Sequence, residues 1–409
     1  MNLELSLDRI KADIEEMSNY TATPGKGATR LAFTPEARAA VERIKRMMQD
    51  VGLSVREDAI GNVIGVLEGE NPYEKAIMTG SHYDTVIHGG DFDGFAGIAA
   101  ALEVCRMLRD NNVKLSRNLV VTAFNGEEGI RFTGYLGSLA MTGQLTLDDL
   151  HKLQDRDGIT AYNAMKAYGL EPEKVGEAAK TLEGVGTFIE MHIEQGAVLY
   201  EKRIDIGLVD CIVGMDRFMI TVCGRADHAG TTPMDMRIDP VPAAARVIAK
   251  IPGFAREVGN AVATTGFLTV APCAINVVAE EVKFSVDIRS SESTNIRAIA
   301  EKILAELDVV AAETGASYEV DKQASIAPLH LSKPIISEME DICNSNGYSS
   351  IHLNSGAGHD AAIVGSMVDV AMLFVPSAHG RSHSPVEWSE YRDIAKAADV
   401  MYNLILRLQ

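Results

Sequence analysis

The sequence predicts an α/β protein: a mainly parallel sheet with helices on both faces, split by an inserted, ferredoxin-like α+β domain. Three observations carry that expectation. The first hundred or so residues alternate apolar strands with helices, residues from about 213 to 326 switch to a β-α-β-β-α-β order, and an apolar strand of the first kind returns at 369–375 (DVAMLFV). A chain of 409 residues is also too long for one ordinary core. The expected divisions are residues 1–212 for the first part of the sheet domain, 213–326 for the insert and 327–409 for the second part.

The N-terminus, MNLELSLDRIKADIEEM, reads as an amphipathic helix and lacks the charged-then-apolar pattern of a secretory signal. TPEARAAVERIKRMMQDV (34–51) opens with a threonine cap and a proline at the first helical position, and stops at Gly52. A short strand, NVIGVL (62–67), precedes a buried-type strand, AIMTG (76–80), a helix over 97–110 and another strand, NLVVTAFN (118–125). A strand, a crossover helix and a second strand form a parallel unit. In such sheets ligands sit beyond the carboxyl ends of the strands. A further strand covers 187–192. Within the insert, DRFMITVCG (216–224) reads as a strand, 239–257 as a helix, 263–271 and EVKFSVDIRS (281–290) as strands, 292–314 as a helix and 317–323 as the last strand.

Composition narrows the function classes. The hydrophobic fraction of 46% is that of a soluble globular protein, and no stretch approaches the apolar length of a membrane span. A formal net charge of −19, from 57 acidic and 38 basic residues, disfavours nucleic acid or an anionic membrane as partner. Five scattered cysteines (105, 211, 223, 273, 343) without C-x-x-C spacing point to a reduced, cytoplasmic compartment.

Four strand ends carry ligand-type residues: SHYD (81–84), GEE (126–128), HIEQG (192–196) and GRSHSP (380–385). Of ten histidines, His82, His192 and His383 all fall just past strands. A lone loop histidine is usually solvated or hydrogen-bonded. Three in equivalent positions, with Asp84, Asp93 and the Glu127–Glu128 pair nearby, form a metal-binding constellation. A mixed imidazole and carboxylate set suits zinc, manganese, nickel or cobalt rather than calcium. His82 and Asp84 are two apart and point the same way in extended backbone, so Asp84 is expected to hold the His82 ring. Gly89–Gly90 permits a tight turn that returns Asp93 towards the same point, although an Asp/Gly-rich loop can equally be only a turn. Adjacent acids are ordinarily a polar loop, but beside a metal one of Glu127–Glu128 can bind the ion while its neighbour accepts a proton. His228, in ADHAGTTPMDMR, and Arg289, ending a strand, lie on the insert, and spacing alone gives them no role. His88, His151, His330 and His352 read as structural or surface residues, while His379 and Trp388 are unassigned.

Through these residues the chain resembles the hydantoinase/carbamoylase branch of the zinc aminoacylase and carboxypeptidase superfamily. The likeness runs from GATRLAFTPE (27–36) through GSHYDTVIHGGDFDG (80–94), AFNGEEGIRF (123–132), HIEQG, HAGTTPM (228–234) and NSGAGHDA (354–361) to GRSHSPVEW (380–388). It implies two divalent metal ions per subunit. His82 and His192 would each hold one side of the pair, Asp93 would bridge, and Glu128 and His383 would complete the second site. Glu127 would be the general base, Asp84 the orienting partner of His82, and Gln195 and His359 substrate contacts beside the metals. On the insert, which the resemblance makes a lid and dimerisation domain, His228 and Asn276 would polarise the scissile carbonyl, often from the neighbouring subunit of a homodimer. Arg289 would bind the substrate's carboxylate through its fork. Two positions depart from the family pattern: Gly126 where an acid is common, and Ala279 where a proline is usual.

The implied activity is hydrolysis of the linear amide (ureido) bond of N-carbamoyl-L-amino acids, releasing ammonia, carbon dioxide and the amino acid. Allantoate, N-acyl amino acids and dipeptides are the alternative substrates. A non-catalytic metal or metabolite binder, the reading from another class, would have no need of Glu127.

Overall fold

A computed structural model describes residues 3–409, which divide into two compact units: residues 3–210 with 331–409, and Cys211–His330. In chain order the first unit opens with α1 (Leu3–Met17), α2 (Pro35–Asp50), β1 (Ser54–Glu57), β2 (Val63–Leu67), β3 (Ala76–His82), α3 (Phe95–Asp110) and β4 (Leu119–Phe124). Three short helices follow, α4 (Leu136–Met141), α5 (Leu147–Lys152) and α6 (Ala161–Tyr168), then β5 (Val185–Ile193), α7 (Val198–Lys202) and β6 (Ile206–Ile212). The second unit contains β7 (Gly214–Cys223), β8 (Asp227–His228), α8 (Pro240–Val258), β9 (Ala261–Thr264), β10 (Leu268–Ala271), β11 (Val277–Val278), β12 (Glu281–Ser290), α9 (Ser293–Thr314), β13 (Ser317–Ile326) and β14 (Leu329–His330). The chain then returns through α10 (Lys333–Asn346), β15 (Ser350–Ser355), α11 (Asp360–Val364), β16 (Asp369–Val375) and α12 (Tyr391–Leu408).

The fold is mixed α/β, and the centre of its large sheet is parallel. β4, β3, β5 and β16 lie side by side in that order and run the same way. Antiparallel strands flank them: β2 and β1 beyond β4, and β6 beyond β16. Every residue of β3 and β4 is buried, as expected for strands covered on both faces. α3 packs on β3, β4 and β5, α1 and α12 pack on α3, and α11 packs on β5 and β16. Buried polar pairs pin α1 to α3: Ser6 Oγ donates to Glu103 Oε1 at 2.7 Å, and Arg106 donates to Asp13 at 2.6 Å. The cap on α2 is as the sequence predicts, with Thr34 Oγ1 accepting from the Ala37 N–H at 3.3 Å. A second apolar cluster forms where Phe33 and Ile60 meet the buried faces of α4, α5 and α6.

In the second unit, β13, β7 and β12 are antiparallel neighbours, and β9 and β10 both pair with β12. The expected strand over 263–271 is therefore two collinear strands. They are interrupted where the Gly266 and Phe267 N–H groups turn to the Ser285 hydroxyl. α8 and α9 pack on one another, and their apolar faces share a core with Ile220, Phe284, Val286 and Ile288. Among the described residues no helix is long and apolar enough to cross a membrane.

Candidate metal centre

β3 ends on His82 and β5 on Ile193, one residue past His192, so neighbouring parallel strands deliver both imidazoles to one edge. Each ring is held by a backbone carbonyl. His82 Nδ1 lies 3.1 Å from the Asp84 oxygen, and His192 Nδ1 2.9 Å from that of Ile193. A ring that donates from Nδ1 leaves the Nε2 lone pair free for a cation, and the two Nε2 atoms stand 3.4 Å apart.

Asp93 sits between the imidazoles. Its Oδ1 is 3.4 Å from His82 Nε2 and 3.2 Å from His192 Nε2, while Oδ2 is 3.3 Å from His383 Nε2. Burial would raise the Asp93 pKa, but His192, His383 and His82 together hold it well below the usual carboxylate range. Glu128 Oε2 lies 3.5 Å from His383 Nε2, and Glu127 Oε2 3.9 Å from His82 Nε2. Burial pushes the Glu127 carboxyl well up; His82 opposes this and Glu128 adds to it. Glu128 is raised to about 7 by burial and by the charge of Asp93. The His383 imidazole is lifted to about 9 by its hydrogen bond with Asp93, against partial burial and with help from Glu128.

The donor set fits a cation. His82, Asp93 and His192 form one group whose ligand atoms lie within 4.8 Å of one another; Asp93, Glu128 and His383 form a second, and His82, Glu127 and Glu128 a third. Asp93 Oδ1 and Glu128 Oε1 are buried and receive no hydrogen bond, a costly state that a bound cation relieves. Gln195 and His383 also carry left-handed backbone, with φ of 57° and 54°. Such backbone is uncommon outside glycine, and it holds both side chains towards Asp93.

Several sequence expectations need correction. The Asp84 carboxylate is not the group that holds His82, from which it stands 3.7 Å away. Its oxygens are committed to the N–H groups of Gly126, Glu127 and Glu128 at 2.9, 2.9 and 3.2 Å, so it shapes the loop bearing the two acids. Gly126 takes φ of 74° in that loop, which glycine adopts without penalty. The loop through Gly89 and Gly90 does return Asp93 to His82 and His192, and its left-handed residues are His88, at φ 58°, and Gly94, at φ 69°. His359, expected to touch substrate, is only 1% exposed; its Nε2 meets Ser355 Oγ at 2.8 Å and its ring packs 4.5 Å from that of His192. Gln195 turns to the ligands, donating to Asp93 Oδ2 at 2.9 Å.

His228, Asn276 and Arg289 belong to the second unit. His228 is exposed, and its Nδ1 accepts from the N–H groups of Gly230 and Thr231 at 3.0 and 3.2 Å, which places the ring proton on Nε2. Asn276 is exposed beside it, its carbonyl accepting from the Ala229 N–H. Arg289 directs Nε to Asp287 Oδ1 at 2.8 Å.

Sequence reasoning missed Glu190, Ser382 and Glu387. Glu190, buried two residues before His192, accepts from Ser81 Oγ at 2.8 Å and from the Ala361 N–H at 3.0 Å. An acid at that offset in an apolar strand was its only signal. Ser382 Oγ contacts Asp93 Oδ2 at 3.0 Å and Glu387 Oε2 at 2.8 Å.

Comparison with known proteins agrees with this chemistry. Residues 66–407 match the peptidase family M20/M25/M40. The chain is 39% identical, over 98% of both chains, to an N-carbamoyl-L-amino-acid amidohydrolase of Paenarthrobacter aurescens. It is 33% identical to an allantoate amidohydrolase of Bacillus subtilis (strain 168), over 97% of this chain and 96% of that one. A hydantoinase/carbamoylase family amidase from Burkholderia multivorans superposes with a TM-score of 0.90 at 29% identity, covering 98% of this chain and 97% of the other.

Proposed function

The chain belongs to the peptidase family M20/M25/M40, and from that premise we propose that it hydrolyses the ureido bond of N-carbamoyl-L-amino acids. It is a metal-dependent hydrolase of carbon–nitrogen bonds in linear amides. The observation that carries the proposal is Asp93, one carboxylate facing three imidazole nitrogens with a buried, unsatisfied oxygen. His82, His192, Asp93, Glu128 and His383 would hold two divalent ions (zinc, manganese, nickel or cobalt). When bound they supply Lewis acidity and lower the pKa of water at the site.

The remaining steps fall to the chain's own groups. Glu127, whose carboxyl burial makes a stronger proton acceptor, takes a proton from the attacking water as the new C–O bond forms. It returns that proton to the amino-acid nitrogen as the C–N bond breaks. The carbamic acid released falls apart to ammonia and carbon dioxide. His228, with its Nε2–H facing outward, has the right tautomer to donate to a developing oxyanion, and Asn276 beside it can do the same. Arg289 is assigned the substrate's α-carboxylate, with Asp287 orienting its fork. Gln195 and Ser382 steady Asp93, and His359 steadies His192. The assembly proposed is a homodimer through the second unit, which also acts as the lid, and the five free cysteines fit a cytoplasmic setting.

Allantoate is the second substrate reading, favoured by the allantoate amidohydrolases among the relatives at 31–33% identity. The test is turnover by metal-loaded protein of N-carbamoyl-L-amino acids, allantoate, N-acetyl amino acids and dipeptides. Release of ammonia and free amino acid from the first class is expected. Turnover of allantoate alone moves the assignment to that substrate, and no turnover of any ureido compound overturns it.

A further inference from the structure

We propose that Glu387 is a positioning residue that ties the Asp93 loop to the His383 loop and so sets how tightly the centre holds its cations. The inference rests on the reading of Asp93 and His383 as ligands. Glu387 is 5% exposed, and its carboxylate is spent on these two loops. Oε1 accepts from the N–H groups of Phe92 and Asp93 at 3.1 and 3.0 Å. Oε2 meets Ser382 Oγ at 2.8 Å, and that hydroxyl lies 3.0 Å from Asp93 Oδ2. One side chain thus fixes the backbone of a ligand almost three hundred residues away and, through the serine, its carboxylate.

Two neighbours show that the fit is built. A Cβ on Gly90 would stand 2.2 Å from Glu387 Oε1 and 2.4 Å from its Cβ, so the glycine makes room for the side chain. Trp388 packs edge-on against Phe92, ring centres 5.1 Å apart, closing the same two loops from beside the pin. A ligand on a loop binds well only when its neighbours hold it in place, and loss of such support typically costs about 10–100-fold in metal affinity.

The experiment is titration of metal-free protein with Co²⁺, read by calorimetry, by cobalt absorption and by the fluorescence of Trp388, with thermal melting on each variant. Glu387→Ala is expected to weaken binding by about tenfold or more. Glu387→Gln should recover most of the affinity, because the amide oxygen still accepts both N–H groups and the amide nitrogen can donate to Ser382. Gly90→Ala, which leaves Glu387 in place but crowds it, should weaken binding as Glu387→Ala does, and it decides the matter if Glu387→Ala fails to fold. Wild-type affinity in folded Glu387→Ala, or in Gly90→Ala, overturns the pin while leaving the metal reading intact. Equal loss in Glu387→Gln and Glu387→Ala overturns the hydrogen-bonded pin. A wild-type protein that takes up no Co²⁺ removes the ligand assignment itself, and the pin with it.

Discussion

At the residue scale the centre is a set of groups whose protonation works against one another. Glu127→Gln keeps the size of the side chain but cannot accept a proton. It should bind metal as the parent does and lose roughly 10²–10⁴-fold in kcat, the usual contribution of a positioned general base. Single-turnover kinetics with metal content measured on the same sample checks this, and unchanged kcat would remove Glu127 from the mechanism. Metal uptake should also depend on pH. His383 is raised to about 9, chiefly by Asp93, and Glu128 to about 7, chiefly by burial. Both are protonated below those values, and a protonated ligand cannot bind a cation. Apparent Co²⁺ affinity should therefore fall as pH drops through about 9 and more steeply below about 7, with protons released on binding; a flat profile over that window contradicts it. The types of these ligands were legible in the sequence because strand ends are few and histidines scarce. Their supports were not. Spacing placed Asp84 near His82 but could not tell a carbonyl from a carboxylate, and nothing in GRSHSPVEW marks Glu387 as a partner of the Phe92 and Asp93 N–H groups.

At the element scale the site depends on how β3 passes into α3. Gly94 caps the start of α3 at φ 69°, and a Cβ there would stand 2.5 Å from the His82 ring. Gly94→Ala should displace that imidazole, lowering metal affinity by about 10–100-fold while the secondary structure persists. Circular dichroism alongside a metal titration separates the two effects, and full metal affinity in the variant would show that the ring does not need that space. Elements with one clear period were readable: the capped helix after Thr34, the buried strands around 76 and 119, and the strand 369–375. The break between β9 and β10 was not, because the residues on either side keep a strand-like pattern and the interruption is made by Ser285 on another strand. The apolar run before His82 likewise gave no sign that the strand continues to the histidine itself.

At the scale of the whole molecule, the change of pattern near residue 213 was visible because an alternating antiparallel strand differs from an apolar parallel one. What the second unit does with its surface was not, since exposure belongs to the folded chain. β9 and β10 form one edge of its sheet, and Val262, Phe267 and Leu268 along that edge are 60%, 45% and 56% exposed. An open strand edge bearing large apolar side chains is a template for pairing with another chain, and proteins ordinarily cover or charge it. With a net charge of −19 on each copy, general surface contact between copies is repelled, so association needs a local apolar and hydrogen-bonding patch of this kind. The proposed homodimer should therefore close through this edge. Phe267→Asp combined with Leu268→Glu places two like charges where the strands of two copies would meet. It should convert the dimer to monomer in sedimentation equilibrium without lowering the melting temperature of either unit's core, since neither side chain is buried. A dimer of unchanged affinity would move the interface elsewhere, and a monomeric parent protein would end the dimer proposal.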